Sequence, residues 1–148
     1  MSIKRTATAT WQGTGAEGTG VLNTSNKFFD NTPYSFKSRF QNEDGTQGTN
    51  PEELIAAAHA GCFAMALSFA LTQAGHAPTQ LNATAAVNLE AVEGGFGITS
   101  IALQLHGVVP GITEAQFIDY ANGAKANCPI SKALSAVPIT LATTFTAA

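Results

Sequence analysis

The stretch that most constrains this chain is residues 49–75, TNPEELIAAAHAGCFAMALSFALTQAG, which has the start, body and stop of a single long helix. Asn50 can cap the first turn, and Pro51 suits the first helical position, where its missing N–H would have no partner anyway. Glu52 and Glu53 favour the positive end of the helix dipole, and Asn50 with Glu53 has capping-box spacing. Gly75 supplies the stop. Between these ends the segment is apolar on every side, which predicts a buried central helix and not an amphipathic surface one. Cys62, one of two cysteines in the chain, sits in its middle.

The same stretch raises a membrane span, since Leu54 to Leu71 reaches roughly the minimum spanning length. It is Ala-rich, however, carries His59, Gly61 and Ser68, and has neither an aromatic belt nor basic flanks, so a buried soluble helix is the better reading. The N-terminus has no apolar run that would make a secretory signal, and a cytoplasmic setting is expected. There a cysteine pair is more often catalytic, redox-active or metal-binding than a structural staple. The 148 residues fit one domain, 1–148, with no linker or repeat dividing it. Charged residues are scarce, 11% against a usual ~25%, which suggests surface hidden in an oligomer. A net charge of −3 with seven Lys and Arg argues against nucleic acid, which requires a basic face.

Ahead of the helix, Ile3 to Trp11 and Gly20 to Asn23 read as strands separated by a glycine-rich turn, and Asp30-Asn31-Thr32-Pro33 is a strong turn signal. Pro33 to Phe40 alternates cleanly and predicts a third strand, with Tyr34, Phe36 and Phe40 on one face and Lys37 and Arg39 on the other. Past Gly75, Leu81 to Ala91 and Phe96 to Val109 predict a hairpin about Glu93-Gly94-Gly95. Thr113 can cap a helix reaching Asn127, Pro129 can open a short helical piece, and Ile139 to Phe145 closes as a strand. The order β-β-β-α-β-β-α-β, with hairpins and no Rossmann-like alternation, makes the fold α+β, with antiparallel sheets around the long helix.

Chemistry centres on the cysteines. Cys62 among Ala, Phe and Met is by default a small core hydrophobe, inert unless a cation stands nearby. Cys128 precedes Pro129 and so lies near a helix N-terminus, where the dipole favours thiolate. Arg39 is by default a solvated surface group, although it is one of only two arginines. Three readings of the cysteines stay open on these grounds: a redox couple, a metal site on His59, Cys62 and Cys128 with His76 or His106 as completion, and two unrelated core residues. No Ser-His-Asp elbow, phosphate loop or dinucleotide fingerprint is present.

Residues 48–68, GTNPEELIAAAHAGCFAMALS, resemble the signature of the OsmC/Ohr family, the osmotically inducible and organic hydroperoxide resistance proteins. Residues 126–134, ANCPISKAL, resemble its second cysteine motif, and 33–40, PYSFKSRF, its strand bearing the active-site arginine. The wording about Cys62 is closer to the OsmC branch. The resemblance implies a thiol peroxidase of oxidative and osmotic stress that reduces organic hydroperoxides, with hydrogen peroxide a further candidate, to alcohol and water. It assigns Cys62 as the peroxidatic thiol, Cys128 as the resolving thiol, and Arg39 and Glu52 as the groups that activate Cys62. It also implies an OsmC-like intertwined homodimer, a dithiol reductant such as a lipoylated protein, and no cofactor or metal. A non-catalytic binding or structural protein, with zinc on His59, Cys62 and Cys128, is the alternative.

The residue types suit that chemistry: a guanidinium stabilises a thiolate, and a carboxylate can hold the guanidinium by a bidentate pair. Ten residues of helix put Glu52 about 80° around and about 15 Å along from Cys62, too far to touch within one chain. The expectation is that Cys62 meets Glu52 and Arg39 of a second subunit.

Overall fold

The computed structural model describes residues 1–42 and 48–147. It begins with three short strands, β1 (Ala7–Gln12), β2 (Thr19–Thr24) and β3 (Thr32–Ser35), in an antiparallel sheet of order β1-β2-β3. Trp11 and Tyr34 flank Gly20 on the two neighbouring strands. Their rings meet across it at 5.4 Å between centroids, over a position where any side chain would collide with both. Asn31 turns the chain into β3 with φ of 52°, a left-handed conformation that asparagine tolerates.

The third strand is shorter than its alternation predicts. After Ser35 the chain turns into a short helix, α1 (Phe36–Phe40). Ser35 caps it: its Oγ accepts from the Ser38 N–H at 3.0 Å, and the Ser38 Oγ accepts from the Ser35 N–H at 2.9 Å. Phe36 and Phe40 then stack one helical turn apart, 4.7 Å between centroids. Arg39 is therefore a helical residue, its guanidinium 4.9 Å from the Phe40 ring centroid, and not the end of a strand.

Helix α2 runs unbroken from Pro51 to Gln73. Its end is a Schellman motif about Gly75, which has φ of 86°: the His76 N–H bonds the Leu71 carbonyl at 2.9 Å and the Gly75 N–H the Thr72 carbonyl at 3.0 Å. The expectation of burial on every side is corrected. One stripe, His59, Phe63, Leu67 and Leu71, is buried. About 200° around from it, Ala57, Gly61, Met65 and Phe69 form an exposed stripe that is just as apolar. By length and composition α2 could cross a membrane, yet its buried stripe packs into a protein core.

Strands β4 (Gln80–Val92) and β5 (Gly95–Val108) form the hairpin, turned by Glu93 and Gly94, the latter at φ of 87°. Helix α3 (Glu114–Asn127) starts at a capping box between Thr113 and Gln116, α4 (Pro129–Ala133) follows, and β6 (Ile139–Thr146) ends the sheet, order β4-β5-β6. The pair β5·β6 is parallel, which corrects the all-antiparallel expectation. The crossover through α3 and α4 returns the chain to the end from which β5 started, so β6 has no choice of direction. The fold is α+β, with α1 added to the expected order and α4 as the short helical piece that Pro129 opens.

The chain divides into two compact units, residues 1–51 and 52–148. In the second, Phe63, Leu67 and Leu71 of α2 pack with Leu103 and Leu105 of β5 and with Phe117, Ala121 and Ala124 of α3. Gly107 lets the Phe117 ring lie against β5, where a side chain would overlap it. Cys128 is a member of this core.

Candidate active site

Helices α2 and α4 bring the two cysteines together. Cys62 lies on α2 beside the buried stripe and stays partly exposed, whereas Cys128, the residue between α3 and α4, is fully buried. Both are free thiols, and the two Sγ atoms lie in hydrogen-bond contact at 2.9 Å. Of the three readings of the pair, two unrelated core residues is thereby removed. Glu52 lies on the same continuous helix as Cys62, in its first turn, so the separation of about 15 Å along the axis holds in this structure.

The electrostatics of the pair are unequal. Burial pushes the Cys62 thiol up, and its bond with Cys128 pushes it further, against a smaller opposing effect from the Ile130 N–H. At Cys128 burial is again the largest single influence and also pushes upward. It is outweighed by the bond with Cys62, the N–H and hydroxyl dipoles of Ser131 and the Ile130 N–H, and the net shift is downward. Cys128 makes no strict capping bond to the α4 backbone, so these N–H groups act as nearby dipoles and not as a closed ring of hydrogen bonds. Within this unit, negative charge shared by the pair rests on Cys128, while the sulfur open to an incoming molecule is Cys62.

Two residues beside the thiols received no such role from the sequence. His59, three residues before Cys62, and Ser131, three after Cys128, are both buried, and His59 Nε2 lies 2.8 Å from Ser131 Oγ. Burial pushes the imidazole below its ordinary value, so it is neutral near pH 7. The zinc alternative is not supported: among the described residues no three His, Cys, Asp or Glu side chains gather to hold a metal, and His59 is engaged with Ser131. His106, considered as a completing ligand, bonds Thr144 through Nδ1 at 2.9 Å.

A cavity of about 490 Å³ runs along α2 and α3, lined by Ala66, Ala70, Tyr120, Ala124 and Asn127 among others. Ala66 is one turn beyond Cys62 and Asn127 adjoins Cys128, although neither cysteine lines the cavity itself. In the first unit Arg39 lines a smaller cavity of about 140 Å³ with Trp11, Tyr34, Phe36 and Phe40.

Residues 43–142 match the family model described as OsmC-like protein. The chain is 46% identical to Peroxiredoxin OsmC of Escherichia coli (strain K12) over 136 residues, 92% of this chain and 93% of that one. It is 35% identical over 90 residues to the organic hydroperoxide resistance protein of Xanthomonas axonopodis pv. citri, 60% of this chain and 61% of that one. Among solved structures it is similar to the organic hydroperoxide resistance protein OhrB of Bacillus subtilis, with a TM-score of 0.69 and 27% identity, covering 94% of this chain and 98% of that one. The chain belongs to the OsmC family.

Proposed function

We propose that this protein is a thiol-dependent peroxidase that reduces organic hydroperoxides to alcohol and water through Cys62 and Cys128. The observation that carries this reading is the pair of free thiols, one accessible and one buried, 2.9 Å apart in a chain of a family that includes a peroxiredoxin and organic hydroperoxide resistance proteins. Cys62 attacks the distal peroxide oxygen because it is the sulfur a substrate can reach. The O–O bond breaks, the alkoxide takes a proton, and Cys62 becomes a sulfenic acid. Cys128, already in contact, attacks that sulfur and expels hydroxide, which closes the disulfide. An external dithiol, such as a lipoylated protein, returns the pair to thiols.

Attack requires charge on Cys62, and the dipoles of residues 52–148 favour it on Cys128 instead. A cation beside Cys62 reverses that preference. Arg39, aligned by Glu52, is the group assigned to it, and it also neutralises the oxygen that leaves. Since Glu52 is about 15 Å along α2 from Cys62, both activating groups come from the second subunit of a homodimer. The exposed Ala57, Gly61, Met65 and Phe69 stripe and the scarcity of charge support such a partner. We place the whole chain, both units together, in one OsmC-like domain acting in the cytoplasm during oxidative and osmotic stress.

Stopped-flow reduction of cumene hydroperoxide by the wild type and by Cys62→Ser tests the assignment. The wild type is expected to lose its thiols rapidly, and the serine variant to lose them at least about a thousandfold more slowly. Rapid thiol loss that survives in Cys62→Ser would remove Cys62 from the reaction.

A further inference from the structure

Two contacts, one helical turn apart, join α2 to α4. Cys62 meets Cys128, and His59, three residues earlier on α2, meets Ser131, three residues later on α4. The long α2 and the short α4 therefore run antiparallel at this point, and the second contact fixes the spacing and rotation of the first. Both members of the second contact are buried, His59 fully and Ser131 at 6% exposure, as is Cys128. A buried polar pair of this kind, beside a chemical site, needs an explanation beyond filling space.

We infer that His59 and Ser131 are positioning residues for the resolving step: His59 fixes the Ser131 hydroxyl so that its hydrogen is directed at Cys128 Sγ when Cys128 attacks the Cys62 sulfenic acid. This rests on the assignment of Cys62 and Cys128 as a peroxidatic and resolving pair.

The tautomer follows from what each ring nitrogen meets. His59 Nδ1 is buried and has no hydrogen-bond partner among the described residues. An unpartnered lone pair costs less than an unpartnered buried N–H, so the proton sits on Nε2. Nε2–H then donates to Ser131 Oγ, which leaves the Ser131 O–H free to donate elsewhere. The Ser131 side chain acts on Cys128 in the direction that favours thiolate, as a donated hydroxyl hydrogen must. Because burial keeps His59 neutral, it works as a fixed dipole and does not take the Cys128 proton itself.

The step it assists balances without a further reagent. Cys128 thiolate supplies the electron pair of the new S–S bond, the S–O bond of the Cys62 sulfenic acid breaks, and hydroxide departs to become water. The oxidising equivalent is the one already delivered by the hydroperoxide. Donation from Ser131 keeps Cys128 ionised until the attack, and in the reverse sense it steadies Cys128 as leaving group when a dithiol opens the disulfide. The contact of 2.9 Å between the sulfurs means that no rearrangement precedes the attack.

The test is a single turnover of reduced full-length protein with one equivalent of cumene hydroperoxide. Peroxide loss is followed by stopped flow, and the lifetime of the sulfenic acid by timed dimedone trapping and mass spectrometry. Ser131→Ala and His59→Leu are expected to consume peroxide no slower than the wild type, since they release charge that Ser131 holds on Cys128. Their disulfide should form about ten- to a hundredfold more slowly, the scale of a lost hydrogen bond to a charged atom. His59→Gln, which keeps an N–H near the place of Nε2, should recover most of the resolving rate. Resolution at the wild-type rate in Ser131→Ala overturns the inference, whether or not His59→Leu folds. So does an equal loss in both steps, which would mark a general structural role. If the wild type consumes peroxide but forms no Cys62–Cys128 disulfide, the assignment of the resolving thiol has failed first, and the task proposed for His59 and Ser131 goes with it.

Discussion

Residues 1–51 and residues 52–148 solve the problem of burial in opposite ways. The second unit hides Phe63, Leu67, Leu71, Phe117 and the β5 leucines at or near zero exposure, and mounts both cysteines on that core. In the first unit the buried residues among those described are Gly18 and Gly20, with Trp11 37% and Phe28 80% exposed. A sheet of three short strands has too little apolar area of its own to repay the ordering of its backbone. The lesson is that geometry which must hold to a few tenths of an ångström, the contact between two sulfurs, resides in the self-sufficient unit. Arg39, by contrast, is carried by the unit that needs a covering surface.

The largest test of this contrast is to cut into each unit. Phe117→Ala removes a fully buried ring that lies against Gly107 and stacks on Phe145 at 5.2 Å. It should cost about 3–5 kcal/mol in urea unfolding. Trp11→Ala, in a ring already part exposed, should cost less than about half of that in the same measurement. It should instead shift any monomer–dimer equilibrium seen by sedimentation. Equal losses at both positions would end the contrast between a self-supporting unit and a dependent one.

Next comes the chemistry. Arg39→Ala should slow the peroxide step by about a hundredfold, and Arg39→Lys by less, because lysine keeps the charge but loses the planar fork. Neither should change unfolding of residues 52–148, monitored by exchange of the β5 amide hydrogens. An unaltered rate in Arg39→Ala would restore the bland reading of this residue as a solvated surface group.

Much of this arrangement could be read in the sequence, and the exceptions have physical causes. Helix α2 was legible because its cap, proline, acidic first turn and terminal glycine all agree. Its burial was misjudged because a segment apolar on all sides gives no sign of which face its own chain covers. Residues 36–40 satisfy two periods at once: Phe36, Lys37 and Arg39 alternate like a strand, while Phe36 and Phe40 are also one helical turn apart. The capping pair Ser35 and Ser38 was the signal that could have decided it. The cysteines were legible as a pair, but His59 was weighed only as a metal ligand. Ser131 is 72 residues away, and nothing local ties a histidine to a serine at that distance. The third-residue spacing of Ser131 after Cys128, at the start of a helix opened by Pro129, was the available clue.

A smaller effect tests the imbalance between the thiols. Cys128 is held below its ordinary value of 9.0 in the folded chain, so between the folded value and 9.0 the unfolded state binds more protons. Stability of the reduced protein should therefore rise with pH as 9.0 is approached from below. Cys62 is shifted the other way, and its contribution is lost above 9.0 as pH climbs through its raised folded value. Urea titrations of the reduced protein should show a maximum near 9.0, and Cys128→Ser should flatten the rising side. A stability that falls steadily from pH 7 upward would place the depressed thiol elsewhere.

The smallest effect isolates His59. Its folded value lies below 6.5 because burial opposes the charged ring, whereas the unfolded chain protonates it normally. Between 6.5 and the lower folded value the unfolded state binds the extra proton, so stability present above 6.5 is lost as pH falls through that window. In the structure the same proton is doubly unwelcome. It would charge a ring that is wholly buried, and it would sit on Nδ1, which has no acceptor among the described residues. His59→Gln carries no titrating group and should abolish this acid-side slope while leaving the Cys128 slope near 9.0 untouched. Urea midpoints measured from pH 7 downward check it. A His59→Gln protein with the wild-type acid slope would mean that other groups carry it, and that the imidazole is less isolated from water than its contact with Ser131 implies.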